Sequence, residues 1–323
     1  MLSRTADHLF WMARYMERAE NTARMLDVNY QASLMPQSTD EVEKGWKGLL
    51  GISELSDDFA TRFGVVTPDS VMRYMVSDER NGSSIRNCLQ AARENARAVR
   101  GTLTTEVWET QNQTWLEFQR MVASEAFLRD PSTLFEWVKF RSHLSRGVTV
   151  GTMLQDQAFH FLRIGSFLER ADNTARLLDV KFHAVESEFH GGANGGGAGR
   201  DIEVDFYHWS GILRSVSGFE VYRKVYRNVI RPEKVAELLI LRPDMPRSLA
   251  ACMQEVVSNL KRVANEQSTE TLRRAGRLHA DLQNGRIDEI LATGLHAYLT
   301  QFLERVGTLG AGISRDFLVP VAA

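Results

Sequence analysis

The sequence predicts an all-α protein, internally duplicated and folded as a pseudo-two-fold helical bundle. The first observation behind this is a repeat. Glu17–Val28 reads E-R-A-E-N-T-A-R-M-L-D-V and returns at Glu169–Val180 as E-R-A-D-N-T-A-R-L-L-D-V, with ten of twelve positions identical at an offset of 152. The two changes, Glu20/Asp172 and Met25/Leu177, keep charge and apolar character. Self-similarity over so long a period is the mark of a duplicated unit. The second observation is spacing: apolar residues recur at i, i+3 and i+4 along most of the chain, as on one face of a helix. The third is that strand-like alternation is nowhere convincing. Residues 1–150 are expected to form the first helical repeat and 151–323 the second, packed as one globular unit.

The opening helix is expected from Ser3, as N-cap, to about Leu34, ended by Pro36 and the polar 37–40 stretch. A second helix is read through Trp46, Leu50, Phe59 and Phe63 to Gly64. Thr67-Pro68 is a helix start, a capping side chain followed by Pro at the first helical position. After a turn at Asn81-Gly82, Ser83 or Ser84 caps a helix that buries Ile85, Leu89, Ala92, Ala96 and Val99. Helical patterning continues from Val107 to Phe127, breaks at Pro131 and resumes from Leu134 to Val150. The second half follows the first: Trp46 matches Trp209 and Leu50 matches Leu213 at an offset of 163. Pro68 matches Pro232, Ser84 matches Ser248 and Cys88 matches Cys252 at 164. The offset grows across His190–Gly199, so the Gly-rich segment 191–199 is read as a flexible loop inserted in the second copy. It lacks the Gly-Lys-Ser/Thr and the preceding strand of a phosphate-binding loop.

Composition narrows the function classes. The chain has 323 residues, 43% hydrophobic and 25% charged, with a net charge of −2. These values are ordinary for a soluble globular protein and argue for neither nucleic acid nor an acidic membrane. The N-terminus is too polar for a signal-peptide core, and no run of 18 apolar residues exists to span a bilayer. Cys88 and Cys252 are therefore expected as reduced thiols in a cytoplasm. Both lie among aliphatic neighbours and read as small buried hydrophobes.

The candidate site is the polar face of the repeated helix. On a helical wheel Arg14, Glu17, Asn21, Arg24 and Val28 fall near one line, opposite an apolar stripe of normal width. Surface positions usually drift, yet Glu17, Arg18, Asn21, Arg24 and Asp27 recur as Glu169, Arg170, Asn173, Arg176 and Asp179. Two readings stand. One is a buried ion-pair network fixing register, with Glu17, Arg24, Glu169 and Arg176 facing each other across the axis. The other is a polar pocket whose arginines grip carboxylate or phosphate and whose glutamates grip amines. The network is the favoured reading, and both hold if it opens to solvent at one end.

Other constellations are weaker. Arg86, Arg93, Arg97 and Arg100 form a row on one helix: a solvated basic face, an anion site, or a dock for the acidic Glu20/Asp27 shoulder. His183, Glu186 and His190 share a helical face, but their counterparts are Gln31, Leu34 and Ser38, so no metal site is expected. His8 and His160 match at the same offset and read as satisfied core imidazoles. No nucleophile elbow is present, and no cofactor is expected.

The Glu17-Arg18-Ala-Glu-Asn-Thr-Ala-Arg24 stretch with its Glu169-Arg170 copy, together with Ala92–Arg97 and Pro246-Arg-Ser248 before Cys252, resembles the bacterial alpha-E domain, a helical fold with a Glu-Arg motif. The resemblance spans essentially the whole chain and carries the motif onto Glu17, Arg18, Glu169 and Arg170. Members of that family are typically encoded beside, or fused to, an ATP-grasp ligase and a transglutaminase-like peptidase. The resemblance therefore implies a part in amide-bond formation in a peptide or small metabolite, as an accessory or substrate-holding subunit with those partners. A stand-alone enzyme with a glutamate base between the Glu-Arg helices, and a purely structural scaffold, are the alternatives.

Overall fold

The computed structural model describes residues 1–318 except 37, 124 and 192–207, and the backbone alone at 126 and 181–191. The structure is all-α: fifteen α-helices and no strand among the described residues.

Two long helices form the centre. Helix α1 (Ser3–Ser33) and helix α8 (Gln157–Gly191) pack on each other more extensively than any other pair. Gly165 of α8 lets them approach: a Cβ there would stand 2.3 Å from the carbonyl oxygen of Phe10. Around α1 the chain adds α2 (Thr39–Ile52), α3 (Ser56–Phe63), α4 (Pro68–Val76), α5 (Ile85–Ala98), α6 (Thr105–Val122) and α7 (Pro131–Thr152). After α8 come α9 (208–215), α10 (Phe219–Tyr226), α11 (Pro232–Ile240), α12 (Leu249–Arg262), α13 (Thr269–Asn284), α14 (Ile287–Thr293) and α15 (Leu295–Phe317).

The packing has a parallel form in the two halves. Helices α5 and α7 pack on α1, with α6 against both; α12 and α15 pack on α8, with α13 against both. Helices α5 and α12 each have 14 residues, and α4 and α11 each have 9. His8 Nδ1 meets Asn95 Oδ1 at 2.7 Å, and His160 Nδ1 meets Asn259 Oδ1 at 2.8 Å. Both imidazoles are thus satisfied, though half-buried rather than fully enclosed. Trp46, Trp209 and Tyr222 are among the largest fully buried side chains.

Local signals explain most boundaries. Thr67 caps α4 with Pro68 at N1, its hydroxyl accepting from Ser70 N at 3.1 Å while Ser70 Oγ accepts from Thr67 N at 2.9 Å. Ser84 and Ser248 cap α5 and α12. The expected core of α5 is buried throughout: Ile85, Leu89, Ala92, Ala96 and Val99.

Four expectations are corrected. Ser3 is the first helical residue of α1 rather than its cap; Leu2 holds the N-cap position without a side-chain bond. The single helix read from Trp46 to Phe63 is two, α2 and α3, parted at Glu54, which adopts a positive φ of 55°. The interruption has a counterpart before α10, where Ser217 takes φ 52°. Helix α6 ends at Val122, and residues 126–128 form a separate 3-10 turn. Pro131 opens α7 as its first residue, capped by Asp130.

Helix α1 carries its charged face inside the fold rather than at the surface. Its polar line is buried: Glu17, Glu20, Asn21 and Arg24 are no more than 7% exposed. Both sides of α1 are covered, one by apolar packing and one by charged side chains from other helices. The Gly-rich loop falls in 192–207, outside the described residues, as do the side chains of His183, Glu186 and His190.

Candidate functional site

The charged core is built on the α1–α8 crossing. The two Glu-Arg pairs grip each other reciprocally. Arg170 donates from Nε and Nη2 to the two oxygens of Glu17, both at 2.8 Å. Arg18 donates likewise to Glu169, at 2.6 and 3.2 Å. Such paired forks are the strongest geometry available to an arginine and a carboxylate. Helical spacing sets this up, since each Glu precedes its Arg by one residue and both point into the crossing.

Each glutamate then takes more cations. Glu169 also receives Arg14 Nε at 2.7 Å. Glu17 receives Arg247 Nη1 at 3.0 Å and Arg146 Nη1 at 3.1 Å. Glu20 accepts from Arg247, Arg146, Ser142 and Arg24. Arg247 also donates to Asn21 Oδ1 at 2.8 Å. Three carboxylates thus face six guanidiniums, those of Arg14, Arg18, Arg24, Arg146, Arg170 and Arg247.

The electrostatics follow from this crowding. Burial pushes the Glu17 carboxyl up, but Arg170 and Arg247 outweigh it and hold the group down at about 2. Burial likewise opposes ionisation of Glu20, and Arg247 and Arg146 overcome it, leaving the carboxyl well below its ordinary range. Glu169 is lowered against its burial by Arg14 and Arg18. Burial weighs against the Arg247 cation, yet a guanidinium stays protonated in proteins. His143 lies between Arg146 Nη2, at 2.7 Å, and Arg24 Nη2, at 3.2 Å. Partial burial lowers its pKa, which favours the neutral imidazole.

Not every expected residue joins. Arg24 and Arg176 do not face each other or the opposite glutamates. They sit about two turns beyond Glu17 and Glu169 along their helices. Arg24 donates to Glu20 and to Ser217 Oγ at 2.6 Å; Arg176 pairs with Asp172 at 2.7 Å and with Glu54. Asp27 pairs with Lys139 at 2.7 Å, Asp179 meets His296 Nδ1 at 2.7 Å, and Asn173 is half-buried.

The α5 arginine row is not the dock for the Glu20/Asp27 shoulder, whose cations come from Arg24 of α1 itself, from α7 and from Arg247. Its members share partners along the helix: Arg86 pairs with Glu79 at 2.8 Å, Arg93 donates to Asn112 at 3.0 Å and, like Arg97, pairs with Glu94, and Arg93 and Arg100 both lie over Trp108.

Sequence reasoning missed Arg146 and Arg247. Neither belongs to the repeated stretch, and the position that matches Arg247 at an offset of 164 is Ser83. The signal within reach was Pro246-Arg-Ser248, noticed as a motif but not as a ligand of the glutamates.

A narrow cleft opens beside this network between α1, α6, α7 and α8, with room of about 40 Å³, enough for a few waters. Met12, Met16 and Phe167 give it apolar walls; Glu17, Arg146 and Arg170 belong at once to its lining and to the network. Cys88 and Cys252 are free, fully buried, and pushed up to about 12 by burial. Among the described residues no group of three or more His, Cys, Asp or Glu side chains is placed to hold a metal, and no helix is long and apolar enough to cross a membrane.

The Glu-Arg pairs at this crossing have a counterpart in the comparison with known families, which finds an ER motif by sequence. The Alpha-E model, described as a predicted alpha-helical domain with a conserved ER motif, matches residues 1–318. The chain belongs to the Alpha-E family. This Alpha-E chain is also similar to uncharacterized proteins of Mycobacterium bovis and Mycobacterium tuberculosis strain CDC 1551, each 26% identical over 329 residues. A third, from M. tuberculosis strain H37Rv, is 25% identical. Each match takes in 93% of this chain but 35% of the relative, so the Alpha-E chain spans about a third of their length. No solved structure matches.

Proposed function

We propose that this Alpha-E chain is a substrate-holding subunit that works in the cytoplasm with an ATP-grasp amide ligase and a transglutaminase-like peptidase, and is not itself the catalyst. In this reading the chain is a duplication whose halves meet about a pseudo-two-fold axis through the Glu-Arg crossing, and the crossing is the rigid floor of a binding cleft. One observation carries the non-catalytic part. Every carboxylate in the network is clamped by guanidiniums and held below its ordinary pKa. A general base works best with a pKa near the operating pH, and a carboxylate held at about 2 is a feeble proton acceptor at neutrality. The two thiols are enclosed and protonated, which removes the obvious nucleophiles.

The partners rest on the family resemblance. The length of the mycobacterial relatives is in keeping with it, since in them the matching region is one part of a longer polypeptide. A purely structural role is favoured by the burial of Glu17, Glu20 and Glu169 and is compatible with holding, because a rigid floor serves both. Affinity purification of the tagged chain from its own cells tests the proposal. An ATP-grasp ligase recovered in near-equal amount is the expected result; recovery of the chain alone would turn attention to a stand-alone role.

A further inference from the structure

Arg24 and Arg176 hold the same place in the repeated stretch, at an offset of 152, but they are not met alike. Arg176 has two carboxylates, Asp172 at 2.7 Å and Glu54. Arg24 has one, Glu20 at 2.7 Å, and shares it with Arg146 and Arg247. Ser217 stands at the position that matches Glu54 at an offset of 163, and offers Arg24 Nη1 a hydroxyl at 2.6 Å. On this side of the crossing two carboxylates, Glu17 and Glu20, face four guanidiniums, those of Arg24, Arg146, Arg170 and Arg247. The first half is short of an anion where the second half has one.

The gap is filled instead by the His143 ring. Its Nδ1 is 2.7 Å from Arg146 Nη2, and its Nε2 is 3.2 Å from Arg24 Nη2. A guanidinium only donates, a neutral imidazole accepts at one nitrogen, and a protonated one accepts at neither. At most one of the two contacts is therefore a hydrogen bond, and the other sets N–H against N–H. The N–C–N edge of the ring has the outline of the O–C–O edge of a carboxylate or the O–P–O edge of a phosphate, which accepts at both ends. The ring occupies the place of an oxyanion and satisfies half of it.

The ring is free to leave and the arginines are not. His143 is exposed on α7, and among the described residues its ring makes no hydrogen bond besides these two contacts. Arg24 stays held by Glu20 and Ser217, and Arg146 by Glu17, Glu20 and Ser142. At an offset of 164 α7 falls on α15: Phe135, Val138 and Ser142 match Leu299, Phe302 and Val306, all buried. In that register His143 and Arg146 match Gly307 and Gly310, and α15 packs on α8 without either side chain.

We propose that the gap between Arg24 and Arg146 is an oxyanion site for the carboxylate or phosphate group of a small ligand, with the His143 ring as its plug. On binding, the ring turns out to solvent, and two oxygens of the ligand take the Nη2 donors of Arg24 and Arg146, which are already aimed at one place. The site goes beyond the subunit reading and is argued without any ligase.

The test is NMR of the full chain with isotope-labelled histidine, the His143 ring signals being assigned by their loss in His143→Ala. Sodium acetate and inorganic phosphate are titrated in turn, with sodium chloride at matched ionic strength as the reference. Acetate or phosphate shifts the His143 signals saturably and chloride does not; the oxyanion that saturates at the lower concentration names the source. His143→Ala, which removes the plug, binds that oxyanion at least about tenfold more tightly by calorimetry, because the open gap is no longer a minor state. His143→Glu, which ties a carboxylate into the gap, raises the melting temperature by at least about 1 °C and abolishes binding. No saturable shift, a response shared with chloride, or an affinity in His143→Ala no higher than the parent's overturns the proposal, as does full affinity in a folded His143→Glu chain. Should His143→Glu not fold, the alanine variant decides. Loss of this site leaves the ligase partnership untouched, and failure of that partnership leaves the site.

Discussion

Glu17 is the residue on which the charged core turns, since it holds Arg170, Arg247 and Arg146 at once. A buried pair adds little net stability when intact, but removing one partner leaves uncompensated charge and costs about 3–5 kcal/mol. Glu17→Gln should therefore lower the unfolding free energy by about that amount, measured by urea denaturation. Arg97→Gln, at an exposed surface pair, should change it by less than about 0.5 kcal/mol. Equal effects from the two would show that burial gives Glu17 no special weight. Acid should act through the same groups. The folded carboxyls of Glu17, Glu20 and Glu169 lie below their unfolded values, so their stabilisation is complete above the unfolded pKa near 4.5 and is lost as pH falls through the folded values, about 2 for Glu17. Melting temperature should be flat from pH 7 to about 5 and fall steeply below; a flat profile down to pH 3 would contradict the assignment. At this scale the sequence was readable where it repeated. The Glu-Arg pairs stood out because both copies keep a polar face, whereas Arg146 and Arg247 arrive from other helices with nothing in their spacing to mark the carboxylates they meet.

Among the elements, the α1–α8 crossing depends on Gly165. Gly→Ala inside a helix ordinarily gains about 1 kcal/mol. Here the new Cβ would meet the Phe10 carbonyl oxygen at 2.3 Å, and the helices must part. Gly165→Ala should instead cost about 1–3 kcal/mol, read as a lower urea midpoint; a stabilised variant would refute so close an approach. Arg227 offers the opposite sign. It ends α10 in the left-handed region at φ 52°, where a side chain is disfavoured, so Arg227→Gly should raise stability by roughly 0.5–1 kcal/mol. A lower denaturation midpoint would mean that its side-chain contacts outweigh the strain. Helix starts were legible because Thr67, Ser84 and Ser248 carry capping chemistry. The breaks at Glu54 and Ser217 were not, since both residues enter the left-handed region without the Gly or Pro that normally announces it.

For the whole molecule, helical period and the absence of strand alternation sufficed to foresee an all-α fold. Periodicity alone reports polarity and not what lies opposite; it is the recurrence of the polar positions in both copies that favours a buried network between the two repeated helices. In α1 the opposite partner is another charged face, and reciprocal ion pairs allow the polar side to be buried. The cleft was hidden, since its lining is assembled from four helices, α1, α6, α7 and α8, that are far apart in sequence. The functional account proposed for the molecule is that the Glu-Arg crossing would make a rigid floor while a partner ligase performs the chemistry. The most direct test is turnover by the purified ATP-grasp ligase with and without this chain. The account predicts a stable complex and a rate that rises when the chain is added at substrate concentrations below KM. Equal rates in both conditions, with no binding between the two proteins, would contradict it.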